Sequence, residues 1–158
     1  MKDILNILLF IFILPISSLA CTCDGFNEVN DEVKGADAVI IASVISKEDF
    51  HIVDSTLTSY NKNIYLHKYT FVVHEKFKGR ISKDTISVYT GPSAASCGIS
   101  FKIGEKYIIY GFSKSYFPKE KAKISPKGKN IYWTHRCTRT RLFSNDESRR
   151  IREVLKIK

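Results

Sequence analysis

Along the chain, apolar positions gather into a few short runs separated by long polar connections. Ala38-Val39-Ile40-Ile41-Ala42-Ser43-Val44 is a short continuous apolar run, as expected of a buried strand. Between Tyr69 and Phe77 the pattern alternates. Tyr69, Phe71, Val73, Glu75 and Phe77 share one register, and Thr70, Val72, His74 and Lys76 the other. Phe77-Lys78-Gly79 ends that strand, and Thr85 to Tyr89 follows, closed by the breaker Thr90-Gly91-Pro92. Lys106 to Phe112 and Ile131 to Thr134 complete five β-rich stretches, all dominated by β-branched and aromatic residues.

The polar stretch from Lys47 to Asn63 joins the first two strands, either as an exposed loop or as an extension of a β-ribbon. Lys114 to Asn130 is a second polar, Lys-rich connection. Helical spacing occurs twice. Asn27 to Gly35 is short and acidic, with Val29 and Val33 four apart. The tail SNDESRRIREVLKIK has Ser144 or Asn145 as N-cap, acids first and bases later, and Ile151, Val154 and Leu155 as its inward stripe. Together these elements predict a mainly β domain: a five-stranded OB-like Greek-key barrel flanked by short helices. A β-sandwich is the alternative.

Ahead of this domain, Ile4 to Ile16 is strongly apolar and Ser18-Leu19-Ala20 offers small residues for a cut after Ala20. The run is shorter than the about 20 residues of a membrane span. Residues 1–20 therefore read as a signal peptide, and residues 21–158 as one domain of about 140 residues. The expected product is secreted, with a periplasmic or a Cys21-lipidated form as alternatives. Ser18, where lipoprotein processing favours a branched apolar residue, speaks for a free Cys21 amine.

Cys21, Cys23, Cys97 and Cys137 are the only cysteines, and an even number in an exported chain reads as two disulfides. Cys21 and Cys23 are too close to favour pairing with each other, which leaves two connectivities. Cys-x-Cys has the wrong spacing for a redox dithiol, and His51, His67, His74 and His135 are too scattered for a zinc set. The sequence contains no Ser/His/Asp order and no His-Glu-x-x-His, so no enzyme is expected and no cofactor of its own. The formal charge of +9 attracts acidic partners without choosing among them.

Several stretches taken together resemble the inhibitory N-terminal domain of tissue inhibitors of metalloproteinases, within the netrin-like module family. They are Cys21-Thr22-Cys23, YTFVVHEKFKG (69–79), SVYTGPSAASCG (87–98), GEKYIIYGF (104–112) and WTHRCTRTRLFS (133–144). Their order covers almost the whole chain after residue 20. The chain departs from the family in lacking a His-Pro-Gln segment after Cys23, a third N-terminal-domain cysteine and its partner, and a C-terminal domain.

The resemblance implies pairing of Cys21 with Cys97 and of Cys23 with Cys137. It also implies inhibition of zinc metalloendopeptidases by a mature amino terminus at Cys21, whose α-amine and carbonyl would chelate the target's zinc. Thr22 would point into the S1′ pocket, Asp24 would continue along the primed side, and Ala95-Ser96-Cys97 would form the adjacent contact ridge. Near its reference pKa of about 7.7–8.0, the α-amine is partly neutral at physiological pH and able to ligate a metal. The competing expectation is a netrin-like binding module that holds an acidic glycan or protein partner on a basic face, with Arg136, Arg139, Arg141 and the tail as its cations. Nucleic acid, stable membrane insertion and oligomerisation are not expected.

Overall fold

The computed structural model describes residues 21, 23, 28–53, 63–116 and 125–157. Among these residues, two helices and six strands follow in the order α1 (Val29–Gly35), β1 (Ala38–Val53), β2 (Asn63–Lys78), β3 (Thr85–Thr90), β4 (Lys106–Gly111), β5 (Ile131–Trp133), β6 (Arg141–Leu142) and α2 (Asn145–Leu155). A single 3-10 turn, Ala94–Ser96, follows β3. The sheet order is β5-β3-β2-β1-β4-β6, antiparallel throughout except for the β3–β5 pair.

The five expected strands are present, and the two-residue edge strand β6 is an addition. The barrel does not close as a continuous ladder. One antiparallel bridge, Phe112 with Trp133, links the end of β4 to β5 through two hydrogen bonds of 2.9 and 2.7 Å. Sheet curvature comes from β1, where register shifts interrupt its pairing with β2 at Val39/Ile40, Ile41/Ala42 and Val44/Ser46.

The apolar run of β1 serves two cores. Ala38, Ile40, Ala42 and Val44 point into the barrel with Tyr69, Phe71, Ile86, Val88, Phe101, Tyr107 and Ile109. Val39 and Ile41 point the other way, where Ile108 and Tyr110 of β4 join them under the helices with Val29, Val33 and Ile151. This is why Ala38–Ala42 shows no alternation: in that stretch of β1 both faces are buried. Phe101 stands edge-on to Tyr69, Phe71 and Tyr107 at centroid distances of 4.9, 5.1 and 4.9 Å, plugging the barrel.

Both helices form where expected. Ser144 caps α2 by accepting from the Glu147 N–H, and Ile151 is fully buried with Val154 and Leu155 packed beside it. A buried ionic cluster fixes α2 to the sheet. Arg139 grips Glu147 with two hydrogen bonds of 2.9 and 2.7 Å, and the Tyr110 hydroxyl donates to the same carboxylate at 2.7 Å.

The stretch between the first two strands is the β-ribbon alternative. β1 pairs with β2 as far as Val53 and Asn63, well past the last β1–β4 pair at Ser43 and the last β2–β3 pair at His67. A third core of Ile64, Leu66, Tyr89 and Trp133 supports the ribbon's base. Residues 54–62 of the first connection and 117–124 of the second lie outside the described residues, as does the expected leader. Among the described residues, no helix is long and apolar enough to cross a membrane.

Candidate functional site

Two disulfides meet at the end of the barrel where β3 and β5 exit. Cys21 is bonded to Cys97 and Cys23 to Cys137, with Cα separations of 5.2 and 5.3 Å. This is one of the two connectivities open from the residues, and the one the resemblance implies. The Cys21 and Cys137 sulfurs lie 3.7 Å apart, so both bridges form one cluster. The sulfurs of Cys21, Cys23 and Cys137 converge as closely as metal ligands do, but each is locked in a disulfide and none is the thiolate that zinc requires. The bridges close separations of 76 and 114 residues, worth about 4–5 kcal/mol each in the chain-entropy account.

The Cys97 side is a tightly folded ridge. Beyond Pro92, Ser96 Oγ donates to the Ser93 carbonyl at 2.9 Å and accepts from the Ser93 N–H at 3.1 Å. Cys97 adopts a left-handed conformation (φ 58°), which turns the chain back so that the Gly98 N–H reaches the Ser93 carbonyl at 2.8 Å. The Ile99 N–H then donates to Thr90 Oγ1 at 3.0 Å, closing the loop onto the end of β3. Ala95 is exposed at the crest, while Ser96 and Cys97 are half-buried.

Two glycines make this loop possible. A Cβ on Gly98 would stand 2.0 Å from the Gly91 carbonyl oxygen, and one on Gly91 would stand 2.4 Å from that of Ser96. Gly98→Ala is accordingly expected to cost about 1–3 kcal/mol and to displace the ridge. A urea titration would show the lowered midpoint, and a midpoint equal to wild type would mean that the loop relaxes freely.

The Cys137 side is held by a turn. The Arg136 N–H donates to the Cys97 carbonyl at 2.9 Å, joining the two halves directly. Thr134 Oγ1 lies 2.9 Å from Thr138 Oγ1 and 2.8 Å from Thr140 Oγ1, a hydroxyl cluster that fixes the turn under Cys137. His135 Nδ1 accepts from the Cys137 N–H at 3.3 Å, and burial pushes its pKa below the usual histidine range. Its ring packs 5.1 Å from that of Tyr116, whose hydroxyl donates to the Ser96 carbonyl at 3.3 Å.

Between ridge and turn lies an open cavity of about 640 Å³ lined by Cys21, Cys23, Ala94, Gly98, Arg136 and Thr140 among others. Of the residues the sequence nominated, Cys21, Cys23, Ala95, Ser96 and Cys97 are thus brought to one end of the domain. Thr22 and Asp24 fall outside the described residues. The ribbon rises from this same end, since its base flanks the His67–Thr90 pair.

Sequence reasoning missed the Ser93–Ser96 brace, Tyr116 and the Arg136 backbone contact. Only the breaker at Gly91-Pro92 signalled a turn. It also misjudged the basic face. Arg139 is buried against Glu147, Arg141 stands 3.9 Å from that same carboxylate, and Arg149, Arg150 and Arg152 pair with Asp146, Glu28 and Glu75.

A partly open OB-like barrel, with two cysteines near one another in sequence stapled to the strand exits, is the frame that carries this candidate site. No family model matches the chain. It is similar to Metalloproteinase inhibitor 2 of Cavia porcellus (35% identity) and of Canis lupus familiaris (36%), each over 106 residues that make up 66% of this chain. The Homo sapiens protein of the same name is 35% identical over 94 residues, 58% of this chain. These matches span 46%, 46% and 40% of the relatives' own lengths, so the chain corresponds to rather less than half of each. The likeness first read from Cys-Thr-Cys and the downstream motifs therefore extends to named metalloproteinase inhibitors.

Proposed function

We propose that the domain is a secreted inhibitor of zinc metalloendopeptidases that acts in a form beginning at Cys21. The observation that carries this reading is the Cys21–Cys97 bridge, which ties the proposed amino terminus to the Ala94–Ser96 ridge with its exposed Ala94 and Ala95. In that form the neutral α-amine and the Cys21 carbonyl oxygen close a five-membered chelate on the target's zinc. They occupy the coordination position that otherwise holds the hydrolytic water, and so remove the nucleophile.

Chelation by so small a group is effective only when little entropy remains to be lost on binding. Here Cys21 is bridged to the ridge, and Cys23, two residues on, to the Cys137 turn. Thr22 lies between these anchors in sequence and supplies the S1′ side chain, Asp24 follows on the primed side, and Ala95 and Ser96 contact the protease from the ridge. The zinc belongs to the protease, and the partner is a secreted or cell-surface metalloprotease. Two disulfides suit an oxidising compartment.

Titrating a zinc metalloendopeptidase with protein that begins at Cys21 is the test. Inhibition is expected to be reversible, to reach completion near one equivalent, and to weaken as the pH falls below the amine's range of about 7.7–8.0. Full protease activity at a large excess of this protein, across several such enzymes, would refute the reading.

A further inference from the structure

The two disulfides stand close enough to react with each other, a property that inhibition does not use. Cys21 Sγ and Cys137 Sγ belong to different bridges, yet they lie 3.7 Å apart, in van der Waals contact. The sulfurs of Cys21, Cys23 and Cys137 all fall within 4.8 Å of one another. We propose that this cluster is a thiol–disulfide exchange site. A thiol there converts the pairing Cys21–Cys97 with Cys23–Cys137 into Cys21–Cys137 with Cys23–Cys97.

The exchange needs no oxidant. A thiolate, from a small-molecule thiol or a dithiol oxidoreductase, attacks Cys97 Sγ. A mixed disulfide forms on Cys97, the Cys21–Cys97 bond breaks, and its electron pair leaves on the Cys21 sulfur as a thiolate. The freed Cys21 side chain turns and attacks Cys137 Sγ, which forms Cys21–Cys137 and expels the Cys23 thiolate. Cys23 then attacks Cys97 in the mixed disulfide, forms Cys23–Cys97 and returns the original thiolate. Two disulfides exist before and after, so the thiol acts only as a catalyst.

Three observations favour this chemistry. The attacking and attacked sulfurs of the second step begin in contact, so that step is intramolecular and outruns attack by a second thiol. All four cysteines are half-buried, and Cys21 and Cys23 line the open cavity between ridge and turn, which admits a thiol. Arg136, exposed and the one charged residue in that lining, favours the thiolate form of a freed sulfur.

The frame around the sulfurs does not depend on which bridges are closed. The Arg136 N–H holds the Cys97 carbonyl at 2.9 Å, the Ser93–Ser96 contacts brace the ridge, and the Thr134 hydroxyl cluster braces the turn. Exchange therefore moves Cys21 from the ridge to the turn while ridge and turn stay together. On the inhibitory reading proposed above, the chelating amine is displaced relative to Ala95 and Ser96, and the isomer inhibits less.

Peptide mapping by mass spectrometry tests the exchange itself. Trypsin cleaves after Lys102 and Arg136, which places Cys97 and Cys137 on separate peptides. In Cys23→Ser the Cys137 thiol stands beside the Cys21–Cys97 bridge. Cys21 should then be found linked to both Cys97 and Cys137, in amounts within about tenfold of each other, because closures of 76 and 116 residues differ little in chain entropy. Cys21–Cys97 alone, with Cys137 fully alkylated, would overturn the proposal.

Wild type, incubated with reduced glutathione and quenched in acid, supplies the same test with every cysteine present. Fragmentation between Cys21 and Cys23 should reveal Cys21–Cys137 with Cys23–Cys97, absent without the thiol. An unchanged native pairing would count against exchange. Equal shares of all three possible connectivities would show random scrambling instead of transfer through the Cys21–Cys137 contact. Linkage is read by mass, so this outcome stands apart from the protease titration.

Discussion

A single alanine added ahead of Cys21 is expected to reduce inhibition on the order of a thousandfold, a loss of about 4 kcal/mol in binding. The added residue moves the charged amine one residue away from the Cys21 carbonyl and turns the chelating nitrogen into an amide, which does not ligate zinc. Both disulfides remain, because Cys21–Cys97 and Cys23–Cys137 are formed by side chains that the insertion leaves in place. The melting curve should therefore match wild type while inhibition is lost. Acetylation of the same amine should do likewise. Inhibition retained by both proteins would move the binding energy to the ridge and ribbon.

The second large effect is on stability. Arg139→Ala is expected to destabilise the domain by about 3–5 kcal/mol, because it leaves the Glu147 carboxylate buried with its principal counter-ion gone. Glu147 is 3% exposed and Arg139 8%, so water replaces little of the lost interaction. Replacing both by apolar residues of similar size, Arg139→Met with Glu147→Leu, should cost far less. Chemical denaturation compares the three proteins, and a single mutant no weaker than the double would contradict the expectation.

The same cluster sets an acid limit. Burial pushes the Glu147 pKa up, but hydrogen bonds from Arg139 and Tyr110 and the nearby guanidinium charges outweigh it and hold the carboxyl below its usual 4.5. Because the folded value is the lower one, its stabilisation is present above that range and is lost as pH falls through the folded pKa.

Much of this architecture could be read from particular residues. Alternation from Tyr69 to Val73 assigned the barrel face of β2, whereas Phe77 on the same register packs under the helices, and Ser144 with Ile151, Val154 and Leu155 assigned α2 and its buried stripe. The unbroken run Ala38–Val44 signalled a buried strand, and the barrel core and the helices cover it from the two sides. Other features depend on long-range geometry. Lys47 to Ile52 reads as polar connection, yet it is strand, because β2 supplies its hydrogen bonds while its side chains remain largely in water.

Charge was the least legible feature. Arg139 and Arg141 look like a basic face until α2 folds back and brings Glu147 against them, 6 to 8 residues along the chain. Conversely, nothing local marks Arg80 and Lys129 as neighbours, since the parallel β3–β5 pairing unites them. The Cys-Thr-Cys was legible as a staple, but the ridge it grips depends on the close approach of Gly91 to Gly98, which no spacing rule reveals.

The central claim concerns one bond, between the Cys21 nitrogen and another protein's metal. Replacing the zinc of a target metalloendopeptidase with cobalt(II) makes that coordination sphere visible as an absorption spectrum. On adding one equivalent of protein beginning at Cys21, the visible bands should change in step with loss of activity, as an amine nitrogen and a carbonyl oxygen replace water. The alanine-extended protein should leave them unaltered. Full inhibition with an unchanged cobalt spectrum would show that the domain blocks its target without touching the metal.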